Sequence, residues 1–331
     1  MKYLYILTSD ETDSYLEQTL LSMISLKSQM PDAFVSLLID NITETNIKGN
    51  RKNIFNFVDE LKTVNIDSSF DKKSRSRWLK TSMRKYITND FLYIDGDTII
   101  VEDLSDLNTI DIYLGAVLDE HNLLSNLVID NPNYLKSMQK LDRKLDFVST
   151  INSATYFNGG LLLCKDNKIV HNFFNEWHRL WLYCFSQGIV TDQQSLNQTN
   201  YMLSNIISEL EGKWNCQILA PGGVNYLHNA KIIHYFTSLP FEQNPYILVK
   251  KSIIEEIKKT GNANEKIIKL LLNPKSIFDS NSRLRVADKF TKSITYSITK
   301  KLFNSKFGAF IESILVFVYK YIFTPIRKLL S

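Results

Sequence analysis

The chain has 331 residues, with 39 Lys and Arg against 35 Asp and Glu, 44% hydrophobic and 12% aromatic residues. With 11 Gly and 7 Pro, this composition excludes a collagen-like or mucin-like chain and wholesale disorder. It leaves room for two ordinary domains, or for one large α/β domain with extensions.

In chain order, the apolar run at the start is too short for a signal peptide, and Tyr3–Leu7 reads as a first strand. Tyr15–Leu26 has helical spacing through Leu16, Leu20, Met23 and Ile24, and Phe34–Ile39 is a second strand-like run, together one β-α-β unit. Ile54, Phe57, Val58 and Leu61 return to helical spacing, Trp78 to Ile87 reads as a helix, and Phe91-Leu92-Tyr93-Ile94 as a buried strand. These crossovers predict a mostly parallel sheet flanked by helices. Further strands are expected at Leu114–Leu118, Gly159–Cys164 and Ile232–Phe236, and helices at Ile169–Phe185 and Asp192–Leu203. Residues 119–152, of mixed polarity and broken by Asn131-Pro132-Asn133, read as a helical insertion over a site. Beyond Pro245 strand signals fade, so a catalytic domain is expected over 1–245 and a helical region over 246–331.

Charge is unevenly spread. Residues 283–331 carry ten Lys/Arg against Asp288 and Glu312, or +8, which leaves −4 for the rest. The same segment holds nine Phe and Tyr residues, and basic side chains beside an aromatic helical face suit an interfacial helix on an anionic membrane surface. Its alternative is a helix packed on the catalytic domain with a solvated basic face. Nucleic-acid binding is not expected, because no groove-reading motif or stacking platform is recognisable. The longest apolar stretch, Phe307 to Phe323, is interrupted by Glu312 and Lys320, so no spanning helix is expected. Three isolated cysteines, Cys164, Cys184 and Cys216, offer neither a disulfide framework nor a zinc motif, and a reducing, cytoplasmic setting follows, with peripheral attachment to the inner membrane face.

The segment richest in chemistry is Asp95-Gly96-Asp97, two carboxylates at the end of a buried strand. They can converge on a hard divalent cation, with the glycine permitting the turn, at the strand ends where open α/β sheets place ligands. An Asp-Gly pair between apolar runs is equally the signal of a tight hairpin, here into Thr98-Ile99-Ile100-Val101. Asn158-Gly159-Gly160 is a turn or a close backbone approach, Thr191-Asp192 a helix cap or a site, and His234 a structural histidine or a ligand.

Taken in order, these segments resemble glycosyltransferase family 8, retaining transferases of the Rossmann-like GT-A fold that include glycogenin and bacterial lipopolysaccharide hexosyltransferases. The resemblance covers roughly Tyr3 to Tyr235. It implies that Thr8, Ser9 and Asp10 hold the nucleotide base, that Lys80 meets the donor, and that Asp95, Asp97 and His234 bind Mn²⁺, with Mg²⁺ as the alternative. It also implies that Asp95, Gly96, Asn158, Gly159 and Gly160 border the donor, and that Asp192 and Gln193 lie at the transferred sugar. The implied partners are a UDP-sugar donor and a glycan or lipid-linked glycan acceptor, in lipopolysaccharide, capsule or another surface polysaccharide. Gln193 is a poorer nucleophile than a carboxylate, which favours attack from the leaving-group face over a covalent intermediate.

The chain departs from the family in one respect: Tyr235 to Phe241 contains no lysine, where the family has one that reaches the donor phosphate. Lys80, Lys231 or a carboxyl-terminal residue is expected to stand in. Two rival readings are a sugar-1-phosphate nucleotidyltransferase, which would carry a Gly-rich basic loop where Ser9 to Asp13 is acidic and lacks glycine, and a non-catalytic sugar-nucleotide or membrane-binding protein.

Overall fold

The computed structural model describes residues 1–220, 222–235 and 246–276, with 298, 305–308, 310, 311 and 314 beyond them. The chain divides into two compact units, 1–284 and 285–331, and the fold that follows is that of the first. It begins with β1 (Lys2–Leu7), α1 (Tyr15–Gln29), β2 (Val35–Asp40), α2 (Asn41–Asn46), β3 (Glu60–Val64) and α3 (Lys72–Ser82). Next come β4 (Phe91–Ile94), β5 (Thr98–Ile100), β6 (Leu114–Leu118), α4 (Leu124–Asp130), α5 (Pro132–Lys144), α6 (Ser149–Asn152) and β7 (Phe157–Cys164). The unit continues through α7 (Lys168–Ser186), α8 (Gln193–Met202), β8 (Ile207–Leu210), β9 (Cys216–Gln217), α9 (Val224–Leu227), β10 (Ile232–His234), α10 (Lys251–Thr260) and α11 (Glu265–Leu271).

Seven strands form one sheet in the order β3-β2-β1-β4-β7-β6-β8. Neighbours pair in parallel except where β7 runs against β4 and β6, so the sheet is mostly parallel, as its crossovers predict. Phe91-Leu92-Tyr93-Ile94 is unbroken in apolarity because both faces are covered: Leu92 and Ile94 join the core on one side with α1, Phe91 and Tyr93 that on the other with α3 and α7. The carboxyl ends of β1, β4 and β6 and the amino end of the antiparallel β7 therefore share one edge. Loops leaving that edge carry Thr8, Asp95 and Asp119, and Asn158 stands at the amino end of β7 itself.

Several local expectations differ from the structure. The segment expected as a helix through Leu61 is a 3₁₀ turn over Gly49–Phe57 followed by β3, so Leu61 pairs in the sheet with Leu37. The helix around Lys80 starts earlier than its apolar spacing indicates, because the Asp71 carboxylate caps it by accepting from the Ser74 amide at 2.7 Å. Asn158-Gly159-Gly160 lies inside β7 rather than ahead of it. Residues 119–152, by contrast, are helical as expected, through α4, α5 and α6. Tyr246, Leu248, Ile253, Ile257, Ile267 and Leu271, which follow the expected boundary at 245, share a core with β1 and α1.

A buried ion pair ties the start of this architecture together. Glu17 on α1 is fully buried, and the Arg51 guanidinium donates to it at 2.7 and 3.1 Å while also reaching the Asp10 carbonyl at 2.7 Å and Ser9 Oγ at 3.0 Å. Removing one partner leaves the other charge buried without compensation. Arg51→Ala is expected to cost about 3–5 kcal/mol, read as a lowered midpoint in denaturant unfolding, whereas a surface pair such as Arg179 with Glu176 is worth about 1 kcal/mol or less.

Candidate active site

Asp95-Gly96-Asp97 joins β4 to β5 without forming a hairpin. β4 lies in the large sheet between β1 and β7, whereas β5 leaves it to pair antiparallel with β10, Thr98 opposite His234. That small second sheet is what brings His234 to the carboxylates. One ligand atom from each of Asp95, Asp97 and His234 lies within 4.8 Å of the others, and His234 Nε2 is 3.3 Å from Asp97 Oδ1. Burial opposes charge on Asp97, but His234 outweighs it and draws the carboxyl pKa down to about 2. The same contact raises His234 above its ordinary value despite burial.

The second nitrogen of His234 is fixed by a chain of amides. Asn215 Nδ2 donates to Asn158 Oδ1 at 3.0 Å, which turns Asn215 Oδ1 toward His234 Nδ1 at 2.9 Å. An amide oxygen only accepts, so Nδ1 carries the proton and Nε2 is the atom presented to Asp97. Asn158 in turn donates to Asp119 at 2.9 Å and accepts the Gly160 amide at 2.8 Å. Asn215 was missed by sequence reasoning, since a single Asn in the run Trp214-Asn215-Cys216 carries no signal of its own.

Close backbone approach explains two glycines. A Cβ on Gly160 would stand 2.5 Å from His234 Cε1 and 2.8 Å from Asn158 Oδ1, and one on Gly96 would stand 2.3 Å from Thr19 Oγ1. Gly159 is different, because its Cβ would meet only ordinary contacts at 3.5 Å with Asp192 and Lys80.

Asp192 precedes α8, but its side chain makes no capping hydrogen bond. Instead Arg77 Nε lies 2.9 Å from Oδ1 and Lys80 Nζ 3.4 Å from Oδ2. Burial raises the Asp192 pKa, yet Lys80 and Arg77 together bring it below the usual carboxylate range. Lys80 also reaches Asp95 at 3.2 Å and lies over the Tyr93 ring, whose hydroxyl donates to Asp95. Arg77 stands one turn before Lys80 on α3 and was likewise not singled out from sequence. Its signal was the i, i+3 spacing of two cations on the helix preceding the acidic loop.

Two adjoining cavities border these groups. One, about 340 Å³, is lined by Thr8, Tyr15, Lys72, Lys73, Arg77, Asp95, Gly96 and Asp97 among others. The second, about 210 Å³, is bordered by Arg77, Lys80, Asp95, Asp97, Asn158, Gly159, Gly160, Asp192, Gln193 and His234. Ser9 is turned inward to Asp13 and Arg51, and Asp10 is ion-paired with Lys72 at 2.7 Å, which holds its carboxyl well below the usual range. Lys231 pairs with Glu102 at 3.1 Å and lines neither cavity. Asp119, at the end of β6, accepts from Asn158, Tyr134 and Gln193; burial nevertheless raises its pKa. The donor set of two carboxylates and one imidazole could hold a divalent cation.

The model of Glycosyl transferase family 8 matches residues 7–239. No curated protein matches the chain. Among solved structures, a galactosyltransferase LgtC in complex with donor and acceptor sugar analogues is similar at 15% identity and a TM-score of 0.48, covering 81% of this chain and 99% of its own. Mouse xyloside xylosyltransferase 1 is similar at 11% identity and 0.46, covering 72% and 98%, and the glycosyltransferase GlyE of Streptococcus pneumoniae TIGR4 at 19% and 0.46, covering 85% and 66%.

The two adjacent glycines of β7 separate the roles of their positions. Gly160→Ala pushes on His234 and is expected to weaken Mn²⁺ binding about 10–100-fold, the usual cost of disturbing a ligand's support. Gly159→Ala is expected to keep Mn²⁺ affinity within a few-fold, and titration of free Mn²⁺ by electron paramagnetic resonance measures both.

Proposed function

The chain belongs to glycosyltransferase family 8, and from that premise we propose a metal-dependent, retaining transfer of a hexose from a UDP-sugar to a glycan acceptor. The observation that carries this reading is the convergence of Asp95, Asp97 and His234 beside the ion-paired Asp192, at the carboxyl edge of the sheet. The family match speaks against the nucleotidyltransferase reading, and turnover of a UDP-hexose is what separates an active transferase from a non-catalytic sugar-nucleotide or membrane-binding protein.

Asp95, Asp97 and His234 would hold the divalent cation. When bound, it supplies neutralising charge where the leaving diphosphate becomes negative. The Thr8 and Tyr15 end of the larger cavity accommodates the nucleoside, and the smaller cavity the hexose. Asp192, kept ionised by Lys80 and Arg77, accepts hydrogen bonds from sugar hydroxyls and orients the ring. A carboxylate committed to two cations is a weak nucleophile, and Gln193, at the same wall and bonded to Asp119, is weaker still. Both favour attack from the leaving-group face, with the departing phosphate accepting the acceptor's proton.

The acceptor is proposed to be a growing surface glycan, reached by a chain that docks on the membrane through residues 283–331. Among the described residues no helix is long and apolar enough to cross a membrane. The basic, aromatic segment lies almost wholly outside the described residues, and its excess of ten Lys/Arg over two acids supports the reading. Cosedimentation with vesicles containing phosphatidylglycerol is expected for the full chain and not after truncation at 282; equal binding by both forms would end the proposal.

The catalytic reading is tested by release of UDP from a panel of UDP-hexoses. Release from one sugar is expected in the presence of Mn²⁺, with a loss of at least about 100-fold in Asp97→Asn and on chelation. Absence of release from every sugar, with no Mn²⁺-dependent nucleotide binding, would refute it.

A further inference from the structure

We propose that Arg77 is the diphosphate ligand of the donor site, joining the half that takes the nucleoside to the half that takes the sugar. The inference rests on the donor reading above. Arg77, Asp95 and Asp97 line both cavities, so they mark the junction between them. A nucleotide sugar lying across both cavities has its diphosphate at that junction, and of the three shared side chains Arg77 is the cation.

The register of α3 fits this placement. Lys73, Ser76, Arg77 and Lys80 share a helix face; Lys73 and Ser76 line the nucleoside cavity, Lys80 the sugar cavity, and Arg77 both. Seven residues at 1.5 Å rise extend the face along about 10 Å of the site. The two site cations differ in what they leave available. The Lys80 side chain is only 4% exposed, is held by Asp95 and Asp192 and lies over Tyr93, whereas Arg77 is 29% exposed. Arg77 Nε is close to Asp192 without an aligned hydrogen bond, and Nη1 makes only a 3.4 Å contact to Ser76 Oγ. A guanidinium has five donors in a planar fork that matches phosphate oxygens, so most of that capacity remains for an anion. Lys80 balances the carboxylates while Arg77 meets the phosphates, and its contact with Asp192 couples phosphate binding to the sugar wall.

The test measures UDP binding by calorimetry in saturating Mn²⁺, and uridine binding by ligand-observed NMR, for wild type, Arg77→Ala, Arg77→Lys and Asp192→Asn. Arg77→Ala is expected to lose about tenfold or more in UDP affinity while uridine binding stays within twofold, which also shows that the fold persists. Arg77→Lys should recover part of the loss. Asp192→Asn should bind UDP as tightly as wild type or tighter, because it releases Arg77 from a counterion. UDP affinity of Arg77→Ala within twofold of wild type would overturn the inference and leave Arg77 acting only through Asp192. A wild-type chain without Mn²⁺-dependent UDP affinity would instead remove the donor reading, and this inference with it.

Discussion

Concentrated negative charge at one edge of the sheet is the constraint to which the rest of the structure answers. Asp95, Asp97, Asp119 and Asp192 come from three different strand ends and a helix start, and all are drawn around one small volume. Carboxylates this close cannot all remain ionised without counter-charge or hydrogen-bond donors. The fold supplies each one differently: Lys80 and Arg77 serve Asp192, Lys80 and the Tyr93 hydroxyl serve Asp95, His234 serves Asp97, and neutral donors serve Asp119. The neutral treatment leaves Asp119 with a raised pKa, while the charged treatment lowers that of Asp97 and Asp192.

Supplying these partners dictates how α3 packs. Leu79 and Met83 enter the core beneath the sheet, which turns Arg77 and Lys80 toward the strand ends. Placement of His234 makes a different demand, because β10 lies in the second sheet. The link between the sheets is polar: Asn158 from β7 bonds Asn215 just before β9, and Asn215 bonds His234 at the end of β10. Buried amides with every partner satisfied hold one geometry, since any rotation would strand a donor in an apolar surrounding. Gly160 is the point at which this arrangement tolerates no side chain. The Asn-Gly-Gly segment is therefore support for the imidazole as much as a border of the smaller cavity.

Much of this was legible along the chain. Period and apolarity marked β1, β2, β4, β6, α7 and α8 because each is decided by local burial: a run covered on both faces for β4, a single apolar stripe for α7. Asp95, Asp97, Asp192 and His234 could be singled out because a titratable residue at the end of an apolar run is locally conspicuous. Arg77, Asp119 and Asn215 could not, since a helix-face arginine, an aspartate after a strand and an asparagine in a turn are ordinary until their neighbours are known. The 3₁₀ turn over Gly49–Phe57 shows the same limit, where helical spacing was real but Leu61 was claimed by pairing with Leu37.

The sequence by itself determined the class of fold, the strand that carries the acidic loop and the identity of the groups able to bind a cation, because these follow from hydrophobic periodicity and side-chain chemistry. Only the tertiary structure decided that Asp95-Gly96-Asp97 links two sheets beside His234 and is not a hairpin. That choice depends on β5 pairing with β10 rather than with β4, a contact between segments far apart in the chain. It likewise decided that β7 runs antiparallel, that Asp192 spends its charge on Arg77 and Lys80 instead of a helix end, and which nitrogen His234 presents. Local sequence encodes what each segment can do alone; which partner satisfies each buried charge and amide is settled only when distant segments are packed together.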